Sequence, residues 1–448
     1  MNFPTQWTVA QLGDLTIRIV GGGTPSKALS ANFEGAIPFM TVKDMKARFV
    51  GSTVDHISEE AIRGSATTMV PADTLIVATR MSLGKIVRPK FDVAINQDLK
   101  ALFLEEEVEK TYIEYFWRSK SQAIQAMGTG TTVKGIRLED IRTLAVPLAP
   151  KNEQKRIVDK LDTVLTRVDA VNTRLARVTP LLKRFRQSVL AAATSGRLVG
   201  AVKQDASKFI PVVLSDSQRG RLPDSWSWRP ITELARLESG HTPRKSVPEY
   251  WDGGSVPWLS LQDIRGADGR VISETKLKPT MLGIDNSSAR LLPAGTVCFC
   301  RDISFGYVTI MGREMATSQH FVNWVCGAEL NPLYLMFALM AARDSLSMSG
   351  QGTTVTTMYM PALKVLQLAT PPIEVQTEIV RRVETLFAFA DRLEARLQAA
   401  QTAADRLTPS LLAKAFRGEL VPQDPNDEPA SELLNRLTNR VSKPDKRR

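Results

Sequence analysis

Cysteine and histidine are scarce, with three of each in 448 residues. Cys298, Cys300 and Cys326 are too few and too clustered to form a disulfide framework. The run Thr296-Val297-Cys298-Phe299-Cys300 reads as a strand, which puts its two thiols on one face. His320 is the only histidine in that region, and His56 and His241 have no ligand-spaced neighbours. Buried strand thiols are therefore expected, and no metal site. No uninterrupted apolar run reaches the roughly 18 residues that a membrane-spanning helix requires. The opening Met1-Asn2-Phe3-Pro4-Thr5-Gln6-Trp7 has neither the basic segment nor the apolar stretch of a secretory signal. A cytoplasmic chain without membrane contact is expected.

Catalytic motifs are missing too. A single-chain DNA methyltransferase needs Asp or Asn before Pro-Pro and an aromatic residue, to hold the target amino group and stack the extruded base. The nearest run here is Thr370-Pro371-Pro372-Ile373, in which neither Thr nor Ile can serve. Gly21-Gly22-Gly23 leads into Thr-Pro, and Gly84-Lys85-Ile86 lacks the pattern of a phosphate-binding loop. No catalytic residue is expected in this chain.

What is present suits folding. Hydrophobic residues make up 43% and charged residues 23%, inside the globular range. The length suggests two to four folded units, at about 100 to 200 residues each. Lys and Arg number 58 against 47 Asp and Glu, a formal charge of +11 that attracts polyanions. Charge alone does not separate nucleic acid from a membrane surface or from simple solubility.

The decisive feature is an internal repeat. Trp7 recurs as Trp226, Gly23-Thr24-Pro25-Ser26-Lys27 as His241-Thr242-Pro243-Arg244-Lys245, and Ile37-Pro38-Phe39 as Val256-Pro257-Trp258. Thr41-Val42-Lys43-Asp44-Met45 is answered by Ser260-Leu261-Gln262-Asp263-Ile264, and Asn96-Gln97 by Ser318-Gln319. Arg80-Met81-Ser82-Leu83-Gly84 is matched, with one insertion, by Arg301-Asp302-Ile303-Ser304-Phe305-Gly306. Gly130-Thr131-Thr132-Val133 returns as Gly352-Thr353-Thr354-Val355, and Gly196 as Gly418. Residues 46–69 and 265–288 differ most. Two similar scaffolds thus carry different surfaces.

Each globular part leads into an apolar series with alternating steps of four and three. The first is Ile157, Leu161, Val164, Val168, Val171, Leu175, Val178, Leu182; the second is Ile379, Val383, Leu386, Ala390, Leu393, Leu397, Ala400, Ala404. Such a seam marks a coiled coil. Ala390, Ala400 and Ala404 stand at the register of Val168, Val178 and Leu182, which suits small-against-large packing between the two helices. A pair of about 25 residues extends roughly 38 Å. Pairing in antiparallel sense would set one domain at each end, matching major-groove sites about 34 Å apart.

Runs such as Asp73-Thr74-Leu75-Ile76-Val77-Ala78-Thr79 read as strands, and residues 112–126 and 332–343 as helices. The fold class expected is α+β, two globular domains alternating with two long helices that pair as an antiparallel coiled coil with pseudo-two-fold symmetry. The boundaries expected are a first domain over 1–150, a first spacer helix region over 151–200 and a second domain over 201–373. A second spacer helix region follows over 374–425, then a basic tail over 426–448 with a short helix followed by disorder.

Polar residues on the loops are candidate DNA contacts. Arg80, Ser82 and Lys85, like Arg301 and Ser304, follow a strand and flank a glycine, where backbone can approach a phosphate. Lys134 and Arg137 follow the Gly-Thr-Thr turn. Thr24, Lys27, Lys43, Lys245 and Gln262 are further candidates, and Gln97 and Gln319 have the chemistry to pair bidentately with adenine.

These islands resemble the specificity subunit of type I restriction-modification enzymes. The resemblance is carried by the Gly-Thr-Pro turn at Gly23, the strand at Val256, the Arg-x-Ser-x-Gly element at Arg80 and the turn at Gly130. The strongest match is the helix start Val146-Pro147-Leu148-Ala149-Pro150-Lys151-Asn152-Glu153-Gln154, with its copy around Pro371-Pro372 and Gln376. One departure is Val375 where an acid usually precedes the glutamine, read as a capping detail. The resemblance implies two target recognition domains on double-stranded DNA, each reading half of a bipartite site. It further implies two modification subunits that carry S-adenosylmethionine, and restriction subunits that use ATP and Mg, with no cofactor in this chain. A coiled-coil scaffold without a DNA role is the competing reading, opposed by two elaborated domains of divergent surface.

Overall fold

The computed structural model describes residues 3–130, 134–200, 209–348 and 357–441. Residues 131–133 and 352–355 of the two Gly-Thr-Thr turns, and tail residues 442–448, lie outside the described residues. The chain divides into two compact units, Met1–Leu175 with Ala399–Arg448, and Ala176–Gln398.

In the first unit the strand Leu75–Ala78 is apolar at every position and wholly buried, as a strand covered on both faces must be. It lies at the centre of a five-stranded sheet in the order Thr16–Gly21, Leu99–Leu104, Leu75–Ala78, Ile86–Pro89, Phe49–Val50. All pairings are antiparallel except the last. The second unit repeats this order strand for strand, as Ala235–Ser239, Phe321–Cys326, Val297–Cys300, Val308–Met311, Val271–Ile272, again with a parallel edge pair. Cys298 and Cys300 are buried in the third of these strands, and burial pushes the Cys300 thiol up to about 11.

A second sheet separates the copies. In the first unit it has four strands, Asp55–Ile57, Ile37–Met40, Val93–Ile95 and Thr68–Val70; in the second, among the described residues, it has two, Trp258–Leu259 and Ala316–Thr317. The two strands without a counterpart fall in the dissimilar stretch, where each unit keeps one short helix, Glu59–Arg63 in the first and Met281–Asp285 in the second.

The helix read over 112–126 is two helices, Lys110–Ser119 and Ser121–Met127, and that over 332–343 divides into Pro332–Ala341 and Arg343–Met348. The Ser119 hydroxyl donates to the Phe116 carbonyl at 2.6 Å, competing with the helix ladder where the break occurs. Both copies anchor this helix alike: Tyr112 donates its hydroxyl to the Pro147 carbonyl and Tyr334 to that of Ala369.

The long helices are Lys151–Thr194 and Ile373–Ala415. Each unit holds the start of one and the end of the other. In the first, Ile157, Val158 and Leu161 share a core with Leu412, Ala415 and Phe416. In the second, Val189, Leu190 and Ala193 share one with Ile379, Val380 and Val383. There Arg186 pairs with Asp391 at 2.6 Å while Arg382 donates to the Leu198 carbonyl at 2.7 Å, so the helices run antiparallel. Along the seams Ile157, Leu161, Val168, Ile379, Val383 and Leu397 are buried. Val164, Leu175, Leu386 and Leu393 are half-buried, and Val171 is 45% exposed.

The helix starts explain the repeated glutamine. Gln154 and Gln376 are fully buried. Gln154 accepts from the Glu109 amide at 3.1 Å and donates to the Ala149 carbonyl at 2.8 Å. Gln376 accepts from the Asn331 amide at 2.8 Å and donates to the Pro371 carbonyl at 2.9 Å. Each glutamine thus latches a long helix to the first turn of Lys110–Ser119 or Pro332–Ala341. The exchange of Glu153 for Val375 is more than a capping detail. Glu153 is buried, accepting from Trp7 Nε1 at 2.9 Å and Gln423 Nε2 at 2.7 Å. Burial raises its carboxyl above the usual range, opposed by those two donors. With Val375 in its place, the buried Trp226 Nε1 has no partner among the described residues.

The chain's last described helix, Ala430–Val441, buries Ala430, Leu433 and Leu437 in the first unit's core. Asp427 ahead of it pairs with Arg156 at 2.6 Å.

Candidate nucleic-acid interface

A close backbone approach builds the same surface in both units. Past the strand Thr16–Gly21, a Cβ on Gly22 would lie 1.8 Å from the Ile95 carbonyl oxygen; on Gly240 it would lie 2.1 Å from that of Ser318. Only glycine allows this. The approach delivers the Gly-Thr-Pro loop to the loop after the strand Val93–Ile95, and the corresponding loop in the second unit. There the Thr24 hydroxyl donates to Gln97 Oε1, and the Thr242 hydroxyl to Gln319 Oε1.

The arginine loops reach the same place. Arg301 donates from Nε to the Gln319 carbonyl at 3.2 Å, and its amide donates to the His320 carbonyl at 2.9 Å. In the first unit the bond made by the Arg301 amide is made by Thr79, which donates through amide and hydroxyl to the Asp98 carbonyl, so Arg80 stands one residue further on, at the position of Asp302. Arg80 and Arg137 line a cleft of about 420 Å³ with Met81, Asp98 and Gly135. Lys134 is exposed at its side.

The other candidates are placed less uniformly. Lys27 and Lys245 are exposed just past the prolines. Lys43 is exposed on the single turn Val42–Asp44 and Gln262 in the first turn of the helix Leu261–Ala267, each held by a capping carboxylate. Asp44 accepts from the Thr41 amide at 2.8 Å, and Asp263 from that of Ser260 at 3.1 Å. Their second oxygens accept from Val54 and Lys276, so each buried carboxylate anchors one of the two dissimilar loops. Lys85 turns its ammonium to the Met45 carbonyl at 3.2 Å. Ser82 is half-buried, and Ser304 only 4% exposed.

Sequence reasoning passed over three residues here. Met81 is 68% exposed with φ of 61°, a left-handed backbone uncommon for a side chain of its size. Ile303, 57% exposed, tips the matching loop. Both were visible as apolar residues inside a polar, glycine-flanked turn. Lys100 gave no signal, because its counterpart is Val322. Its ammonium is held below the usual lysine range by burial and then by the Arg80 charge, with Asp98 pulling the other way.

Among the described residues no group of His, Cys, Asp and Glu could hold a metal ion, and no helix is long and apolar enough to cross a membrane. Two units of one strand order, each presenting a loop surface rich in hydrogen-bond donors and sharing paired long helices, define a duplicated binding module. The family model for the type I restriction modification DNA specificity domain matches twice, over residues 4–179 and 223–400. The chain belongs to that family, and it is a DNA-recognition subunit of the type I restriction-modification class. It is 27% identical to the type I restriction enzyme StySPI specificity subunit of Salmonella potsdam, covering 94% of this chain and 91% of that protein. It is also 27% identical to the EcoDI specificity subunit of Escherichia coli, covering 94% and 90%. In fold it resembles the HsdS subunit from Thermoanaerobacter tengcongensis, with a TM-score of 0.60 and 16% identity over 94% of this chain and 98% of that one. A chain solved in work on complex assembly and conformational transition of the type I R-M system gives 0.68 and 15%, over 94% and 100%.

Proposed function

We propose that each unit reads one half of a bipartite, asymmetric DNA site with unspecified bases between the halves. The chain itself does no chemistry. It positions two modification subunits, which bring S-adenosylmethionine, and restriction subunits, which bring ATP and Mg, on cytoplasmic DNA. The observation that carries this reading is the pair of sheets identical in strand order whose flanking strands and loops differ, one scaffold with two reading surfaces. The naming of the relatives as specificity subunits supports it. The test is binding of the full chain, together with its modification subunits, to duplex DNA at graded salt. Phosphate neutralisation makes affinity fall steeply as salt rises. Absence of binding even at low salt would leave only a scaffold.

A further inference from the structure

Where one scaffold is used twice on two unlike half-sites, base reading belongs to positions at which the frame is kept and the chemistry changes. The cleft lined by Arg80, Asp98 and Arg137 is such a place. Its frame recurs residue for residue. Leu75–Ala78 pairs with Leu99–Leu104 in the register in which Val297–Cys300 pairs with Phe321–Cys326. Just past the strands, Thr79 and Arg301 donate their amides to the carbonyls of Asp98 and His320, at 2.8 and 2.9 Å. Their own carbonyls accept from the amides of Ile136 and Met358, at 3.0 and 2.9 Å. Both loops then turn on a left-handed glycine, Gly84 with φ of 83° and Gly306 with φ of 80°. The places of Arg80, Asp98 and Arg137 are accordingly held in the second unit by Asp302, His320 and Tyr359.

All three side chains change, and at the loop position the charge reverses. Arg80 is exposed, and its guanidinium has no hydrogen bond or ion pair among the described residues. Asp98 behind it accepts from Asn96 Nδ2 at 3.1 Å. In the second unit the Asp302 carboxylate lies against His320 Nδ1, with its oxygens at 2.8 and 2.9 Å. A carboxylate only accepts, so the proton sits on Nδ1 and Nε2 of the neutral ring is left as an acceptor. Tyr359 is 56% exposed. A phosphate contact does not account for the exchange, because every nucleotide carries the same anionic oxygens and Asp302 would repel them. Base edges do differ. Guanine offers O6 and N7, two acceptors that a guanidinium meets as a fork, whereas adenine and cytosine offer an amino group that a carboxylate or a ring nitrogen accepts.

We propose that this cleft is a base-reading position in each unit. Arg80, backed by Asp98 and flanked by Arg137, reads a guanine in the first half-site. Asp302, with His320 and Tyr359, reads the exocyclic amino group of an adenine or a cytosine in the second. The assignment rests on the DNA-binding reading above.

The test uses the full chain with its modification subunits, the methylated motif of the host genome, and two duplexes, one carrying that motif and one scrambled. Arg80→Ala is expected to weaken the motif duplex by about 5- to 150-fold, the worth of one good bidentate base contact. The scrambled duplex binds as before, which also reports an intact fold. In cells one G·C pair of the first half becomes degenerate, and the second half is unaltered. Replacing that guanine by 7-deazaguanine, which lacks the N7 acceptor, weakens binding of the parent but not of Arg80→Ala. Asp302→Asn relaxes one position of the second half alone; an A·T pair there identifies adenine as the base read, and a G·C pair cytosine. An equal loss on both duplexes with a shallower salt slope would make Arg80 a phosphate contact and overturn the assignment. A first half without any G·C pair, or a motif unchanged in both variants, would overturn it as well, while leaving DNA binding intact. Failure of the unaltered protein to bind either duplex would instead sink the DNA reading, and the base assignment with it.

Discussion

Exchanging Glu114 for methionine is expected to destabilise the first unit by about 3 kcal/mol, the lower end of the 3–5 kcal/mol typical when one partner of a buried ion pair is removed. Glu114 is fully buried, with Arg48 Nε at 2.8 Å, Arg88 Nη2 at 2.7 Å and Arg118 Nη2 at 3.1 Å. Arg48 also reaches Asp162 on the first long helix at 2.7 Å, so the cluster ties the sheet to that helix. Burial holds the Arg118 guanidinium below its usual value, and Glu114 is the chief opposing influence. Without the carboxylate, Arg48 and Arg118 can turn towards water, being 25% and 33% exposed, but Arg88, at 8%, cannot. That difference places the cost at the lower end. The second unit solves the same packing problem with Met336, Ile310 and Met340, two of them buried and the third half-buried. The triple exchange Glu114→Met, Arg88→Ile and Arg118→Met should therefore recover most of the loss. Urea unfolding read by hydrogen exchange at Leu75–Ala78 isolates the first unit. A loss below about 1 kcal/mol for the single variant, or a triple variant no more stable than the single, would refute the reasoning.

Two further outcomes are expected. Glu153→Val, which copies the arrangement at Val375, should cost about 1–3 kcal/mol by stranding the Trp7 N–H, whereas Glu153→Gln retains an acceptor and should cost less than half as much; equal losses in urea unfolding would contradict this. Hydrogen bonding from Arg156 holds the Asp427 carboxyl below the usual range, so its contribution is present above the unfolded carboxylate pKa and lost as pH falls through the lower folded value. Asp427→Asn should thus be less stable than the parent at pH 7 and converge with it in acid. A gap that stays constant across that range would contradict the assignment.

The repeat carried most of the architecture in the sequence. Matching islands such as Gly23-Thr24-Pro25 and Thr242-Pro243 sit at the same corner of two sheets with one strand order, and the four-three apolar steps became the long helices. The unequal second sheet was foreshadowed only as dissimilarity, because strands as short as Asp55–Ile57 and Thr68–Val70 pair through partners distant in sequence. Gln154 and Gln376 were visible as a repeated pair, but their function as latches depends on the amides of Glu109 and Asn331, some 45 residues away. For the interface, residue types were legible and engagement was not. The sequence could not show that Gln97 spends its oxygen on Thr24, or that Lys85 turns to Met45.

The central claim is that the two copies read separate halves of one site. It is tested most directly by replacing residues 1–150 with the corresponding domain of a relative and sequencing the methylated adenines of the host genome. One half of the methylated motif should change, with the other half and the number of unspecified bases between them unaltered. A change in both halves, or in neither, would contradict the account.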